Sequence, residues 1–156
     1  MKIRAGFVSN SSSSSFIVIN SDKIDNFNPK IFKWDGDHIV VDDDFGETEF
    51  GWQEKIYNDV GSKVIFSYLQ ALYSGELSDQ RVQMLENVLK EYTGAKGIIW
   101  KISIHDDEQS GLIYSYIDHQ SNATEDMNTE MFDSNEHLKS FLFNDKSFIH
   151  NDNDNH

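Results

Sequence analysis

The stretch "KVIFSYLQALYSGELSDQRVQMLENVLKEYTGAKGIIWKISIH", residues 63–105, changes its hydrophobic period part-way along. Val64, Ile65, Tyr68, Leu69 and Leu72 recur at the spacing of one helical face, and Gly75 is placed to close that helix. Ser78 then offers an N-cap, with Asp79 in the first turn. Val82, Leu85, Leu89 and Tyr92 form a second apolar stripe, and Gly94 supplies a left-handed stop. After Gly94 the period falls to two, with Ile98, Trp100, Ile102 and Ile104 on one face of a strand. Two adjacent helices that lead directly into a strand place the chain among mixed folds.

Outward from this centre the remaining elements are shorter. "KIFKWDGDHIVVDDD", residues 30–44, reads as a hairpin, with strands over 30–34 and 38–42. Its turn is Asp35-Gly36-Asp37, because Asp-Gly provides positive φ at no steric cost. "FIVI", residues 16–19, has the β-branched content of a strand. A turn from Asp106 to Gly111 returns the chain as a strand from Leu112 to about Asp118. A short helix capped near Asp133 and Ser134 carries Leu138, Phe141 and Leu142. Phe148 and Ile149 read as a last short strand before the polar tail "HNDNDNH", residues 150–156. The expectation is one α+β domain over 1–149, built on one mainly antiparallel sheet with helices on one face.

Composition limits the chemistry. The 156 residues include eleven Phe, six Tyr and three Trp, enough aromatic content for a packed core. With no cysteine, disulfides, thiolate metal sites and thiol nucleophiles are excluded. No apolar run approaches the length of a membrane span, and the polar residues 9–15 interrupt any signal-like core, so a cytoplasmic protein is expected.

Net charge is −14, and it is unevenly spread. Residues 34–54 hold eight acids and no Lys or Arg; residues 102–138 hold nine acids and again no Lys or Arg. A field of this sign repels nucleic acid and attracts basic protein surfaces. The candidate partner-binding residues are Trp34, Asp35, Asp37, Asp42, Asp43, Asp44, Glu47, Glu49 and Trp52. The tryptophans are read either as core residues or as aromatic anchors rimmed by charge.

Three groups of residues bear on chemistry. Asp118, His119 and Ser121 bring the residue types of a hydrolytic triad together, but on a strand Asp118 faces away from the other two. The six histidines include no zinc-type spacing, and the Asp106, Glu108, Ser110, Gly111 run puts Ile117 where a calcium loop needs a bidentate glutamate. Neither a catalytic residue nor a metal or cofactor is therefore assigned. Asn10 and the serines that follow it form, in one reading, a loop whose amides gather on an anion, although the glycines and lysine of a phosphate cradle are missing. The alternative ligand site accordingly joins Asn10, Ser11, Ser12 and Ser13 to Asp118, His119 and Ser121.

The opening "IRAGFVSNSSSSSFIV" resembles the start of an uncharacterised family of bacteriophage proteins that has some bacterial relatives. The resemblance returns at "YIDHQS", residues 116–121, and at "LKSFLFNDKSFI", residues 138–149, which precedes an Asn/Asp tail. It implies a viral accessory protein and supplies no catalytic residues. Charge and resemblance together give the leading expectation, a non-enzymatic protein that binds and modulates a basic host protein, such as a nucleic-acid-binding or defence factor. The alternatives are a small-ligand binder or enzyme at the serine and DHQS segments, and a minor virion component.

Overall fold

A computed structural model describes residues 13–24, 27–50, 55–103, 105–107, 112–114, 116–117 and 129–153. Strand β1 is Ser13–Val18; a 3-10 turn over Pro29–Ile31 leads to β2, Lys33–Asp35, and β3, His38–Asp42. Then come β4, Glu49–Phe50, and β5, Lys55–Tyr57. Helices α1, Val60–Leu72, and α2, Ser78–Thr93, precede β6, Gly97–Lys101. Short strands β7, His105–Asp107, β8, Leu112–Tyr114, and β9, Tyr116–Ile117, are followed by α3, Asn135–Phe143, and β10, Phe148–Asn153.

Among the described residues the fold is α+β, with three helices, two three-stranded sheets and two two-stranded pairs, β4-β9 and β7-β8, in place of the single sheet expected. One sheet is antiparallel in the order β1-β10-β5; the other is mixed, in the order β2-β3-β6. The β2–β3 hairpin forms around Gly36, whose φ is +63°. Its outer neighbour is a surprise for sequence reading, because β3 and β6 run parallel from His38 beside Gly97 to Asp42 beside Lys101. Parallel neighbours need a long crossover, and here it contains both α1 and α2.

Helix α1 is buried on nearly every side, from Gly61 to Ser67 and again over 69–71. Its N-cap is Asp59, whose carboxylate accepts from the Ser62 amide at 2.9 Å. Helix α2 differs from expectation at its start: Ser78 is already helical, and a 3-10 turn over Gly75–Leu77 feeds into it, so the Ser78 amide donates to the Gly75 carbonyl. Gly94 closes α2 at φ +83° as its position implied. Ser134 caps α3 by accepting from the His137 amide at 3.0 Å. The core lies where the three helices meet the sheets. It is filled by Ile39, Val41, Val64, Ile65, Phe66, Leu69, Leu85, Leu89, Leu138, Phe141, Leu142 and Ile149, all inaccessible to solvent. Phe66, Phe50 and Tyr57 meet edge to face within it.

The chain ends pair with each other. Ser13 to Val18 lie antiparallel to Asn153 back to Phe148, so the boundary placed at 149 falls inside a strand: His150 to Asn153 belong to β10. Beneath this zipper sits a buried polar cluster. The Lys63 ammonium donates to the carbonyls of Asn144, at 2.8 Å, and Ser147, at 3.0 Å. The Asn144 amide group donates to the carbonyls of Asn20 and Asp22, and the Ser147 hydroxyl accepts from the Asn20 amide at 2.8 Å. Lys63 thus fastens the turn after α3 to α1, and the Asn144 and Ser147 side chains fasten that turn to the segment that leaves β1. Burial pushes the Lys63 ammonium down to about 8, against the opposing pull of Asp59 and Asp145.

Candidate functional site

The acidic stretch of the sequence becomes the β2–β3 hairpin and the loop that follows it. Phe32, almost wholly buried, pins the start of β2 to the core. Asn28 caps the 3-10 turn by accepting from the Lys30 amide at 3.0 Å. On this base Trp34 stands 39% exposed and Ile31 48% exposed. The Trp34 indole N–H donates to the Pro29 carbonyl at 3.3 Å, which holds the ring in place before any partner arrives. All three residues of β2 are exposed, while Ile39 and Val41 on β3 are sealed in the core. The two-way reading of Trp34 is thereby decided in favour of an exposed aromatic. Trp52 lies outside the described residues.

The same hairpin and the loop after it carry the acids, and several are held by the fold. The Asp42 carboxylate accepts from the Lys33 ammonium and from the Asp44 amide, and both contacts, the lysine first, hold it below the usual carboxylate range. Asp37 is likewise held low, chiefly by its 2.7 Å contact with His38 Nδ1, and Lys96 lies 3.7 Å from its other oxygen. Asp43 accepts from the Ser103 amide at 2.9 Å and so joins the loop to the end of β6. Asp35, Asp37, Asp43 and Asp44 are exposed; Asp42, Glu47 and Glu49 are partly covered. The last two are drawn toward α1, where the Glu47 amide donates to the Ser62 hydroxyl at 3.0 Å and the Glu49 amide to the Glu47 carboxylate at 3.2 Å.

Two glycines let that loop approach the helix. A Cβ on Gly46 would lie 2.3 Å from the Ser62 amide nitrogen, and one on Gly61 would lie 1.9 Å from the Phe45 carbonyl oxygen. Only at glycine can the backbones come this close. A cleft of about 380 Å³ opens between loop and hairpin. Ile31, Val40, Phe45 and Val60 give it apolar walls, and Lys33, Asp42, Asp44 and Asp59 line its polar margin. Ile31 and Asp59 were not singled out in the sequence. Ile31 read only as part of a strand, and only the path of the chain into α1 brings Asp59 to the hairpin.

The second candidate set is not brought together by anything described. Asn10, Ser11, Ser12, Asp118, His119 and Ser121 lie outside the described residues, and Ser13 opens β1 opposite Asn153. Ser13 to Ser15 are extended strand. Tyr116 and Ile117 of the YIDHQS segment pair in parallel with Glu49 and Phe50, next to the acidic loop. The hairpin expected from the Asp106 turn is present as β7 paired with β8, while 108–111 lie outside the described residues. Among the described residues no three His, Asp or Glu side chains gather to hold a metal, and no helix is long and apolar enough to cross a membrane.

Neither family models nor curated proteins nor solved structures show a match to this chain. The assignment of function therefore rests on the site itself.

Proposed function

We propose that this is a phage-encoded accessory protein that acts by binding a basic protein of the host, with the β2–β3 hairpin as its contact surface. The observation that carries the proposal is Trp34, exposed on an edge strand and tethered through its indole N–H, in a hairpin and following loop that also expose Asp35, Asp37, Asp43 and Asp44. A tethered aromatic loses little freedom on binding and supplies apolar contact, whereas the carboxylates steer a basic partner and set its orientation. Ile31 extends the apolar surface beside it. The exposed set includes no nucleophile paired with a base, so binding accounts for the surface better than turnover does.

The chemistry of the partner follows from charge. With duplex DNA carrying one charge per about 1.7 Å of axis, fourteen net charges match about 24 Å of duplex, roughly two-thirds of a turn. A host protein that normally grips nucleic acid presents the matching surface. Substitution tests this reading: Trp34→Ala is expected to weaken the complex by about 30-fold, and joint Asp35→Asn and Asp44→Asn to slow association with little change in dissociation. Equal binding by Trp34→Ala would remove the hairpin from the interface.

A further inference from the structure

The two edges of the antiparallel β1-β10-β5 sheet differ in chemistry. Edge strand β5 is three residues long and carries Lys55, the ordinary protection against pairing with another chain. Edge strand β1 is six residues long, SSSFIV, without a charge or a proline. Among the described residues its only strand partner is β10.

The outer face of the same sheet is apolar next to this edge. Register sets Phe16, His150 and Ile56 in one row across the three strands, and Val18 beside Phe148 in the next. Phe16 is 41% exposed, Val18 37% and Ile56 57%, and the Phe16 ring meets the His150 ring edge to face at 4.7 Å. None of these five side chains is acidic, on a chain whose net charge is −14. The next row of the register, Ser14 with Asp152, brings the one acid that these described strands place in this alternation set, so a basic partner would find little negative charge here. A strand that meets its own copy needs no complementary charge, and a two-fold pairing covers the unprotected edge of both molecules at once.

We infer that β1 pairs antiparallel with β1 of a second copy, across a two-fold axis at Phe16, to join two three-stranded sheets into one of six. Side-chain alternation restricts the register. Opposed residues must share a face, so their numbers must sum to an even value, and centring on Phe16 sets Ser14 against Val18 of the partner subunit and Phe16 against Phe16 of the partner subunit. The apolar rows of the two copies then run on into each other, with an aromatic pair at the axis. Because both copies are strongly acidic, screening favours this contact: it tightens as salt rises, opposite in sign to the salt response of the hairpin surface.

The test is sedimentation equilibrium of the full chain at low and high salt, with cysteine cross-linking to locate the contact. The expected mass is twice that of the 18.0 kDa chain, with tighter association at high salt. The chain has no native cysteine, so Phe16→Cys introduces a single thiol on an exposed position. Opposed residues in an antiparallel pair have Cα atoms about 4.5–5.5 Å apart, inside the range a disulfide bridges. Phe16→Cys is expected to form a linked dimer on mild oxidation at least about tenfold faster than Ile56→Cys, as residues held opposite each other do. A monomer at every concentration, or cross-linking at position 16 no faster than at 56, would overturn the pairing.

Discussion

Lys63 stands between Ser62 and Val64 in a helix whose sequence reads as amphipathic, and a lysine there reads as solvent-facing. It is instead inaccessible, because α1 passes through the middle of the molecule, and its ammonium serves the carbonyls at the end of α3. Removing the donor leaves two buried carbonyls unmet, which outweighs relief from burying the charge; Lys63→Met is expected to lose about 2 kcal/mol near neutral pH. The pH response has a definite sign. Burial lowers the folded value to about 8 from 10.5, so between these limits the unfolded chain binds more protons and stability rises with pH. Urea unfolding of wild type and Lys63→Met should therefore show a difference that widens from pH 7 to pH 10, with other titrations cancelling in the comparison. A flat difference would mean that Lys63 titrates as a solvated side chain. Gly61 makes a second case: in most helices Gly→Ala stabilises by about 1 kcal/mol. Here the Phe45 carbonyl occupies the space, and Gly61→Ala should cost about 2–3 kcal/mol by thermal or chemical unfolding. Neither residue announces its role in sequence, since burial of a lysine and contact with a loop fifteen or more residues away are set by tertiary approach.

Elements governed by local chemistry were legible: α1 and α2 from their 3.6-residue stripes, Gly94 as a stop, Ser134 as a cap and the hairpin from Asp-Gly. What escaped was pairing over distance. Nothing within IVV or GIIW records that β3 and β6 lie parallel, because that choice belongs to the crossover that joins them. The serine run escaped for another reason. Serine has weak strand preference and shows no alternation, yet Ser13 to Ser15 are strand because Asn151 to Asn153 lie opposite them. Residues 13–18 and 148–153 are thus one structural unit, with Asn20, Asn144 and Ser147 bonded beneath it. A merely solubilising tail could be removed without consequence. Deleting 150–156 is expected instead to cost about 3 kcal/mol and lower Tm by about 10 °C, since β1 loses the partner of four residues. An unchanged melting curve would contradict the zipper.

At the scale of the whole molecule, the acidic bias was plain in the sequence and the surface it makes was only partly so. The run 35–49 was legible as a charged patch, but its division was not: Asp37, Asp42 and Asp43 secure the hairpin and loop, while the Asp35 and Asp44 carboxylates stand exposed. Composition cannot separate structural carboxylates from those offered to a partner, because the difference lies in whether Lys33, His38, Lys96 or the Ser103 amide comes within reach. The proposed function requires that Trp34, within this negative field, anchor a basic protein. The most direct measurement is capture from bacterial host lysate on immobilised wild-type and Trp34→Ala chains, eluted through a rising salt gradient. The account predicts one stoichiometric basic protein that leaves the wild-type chain as salt rises and is depleted on Trp34→Ala. A retained protein that ignores both salt and the substitution, or an empty capture, would contradict it.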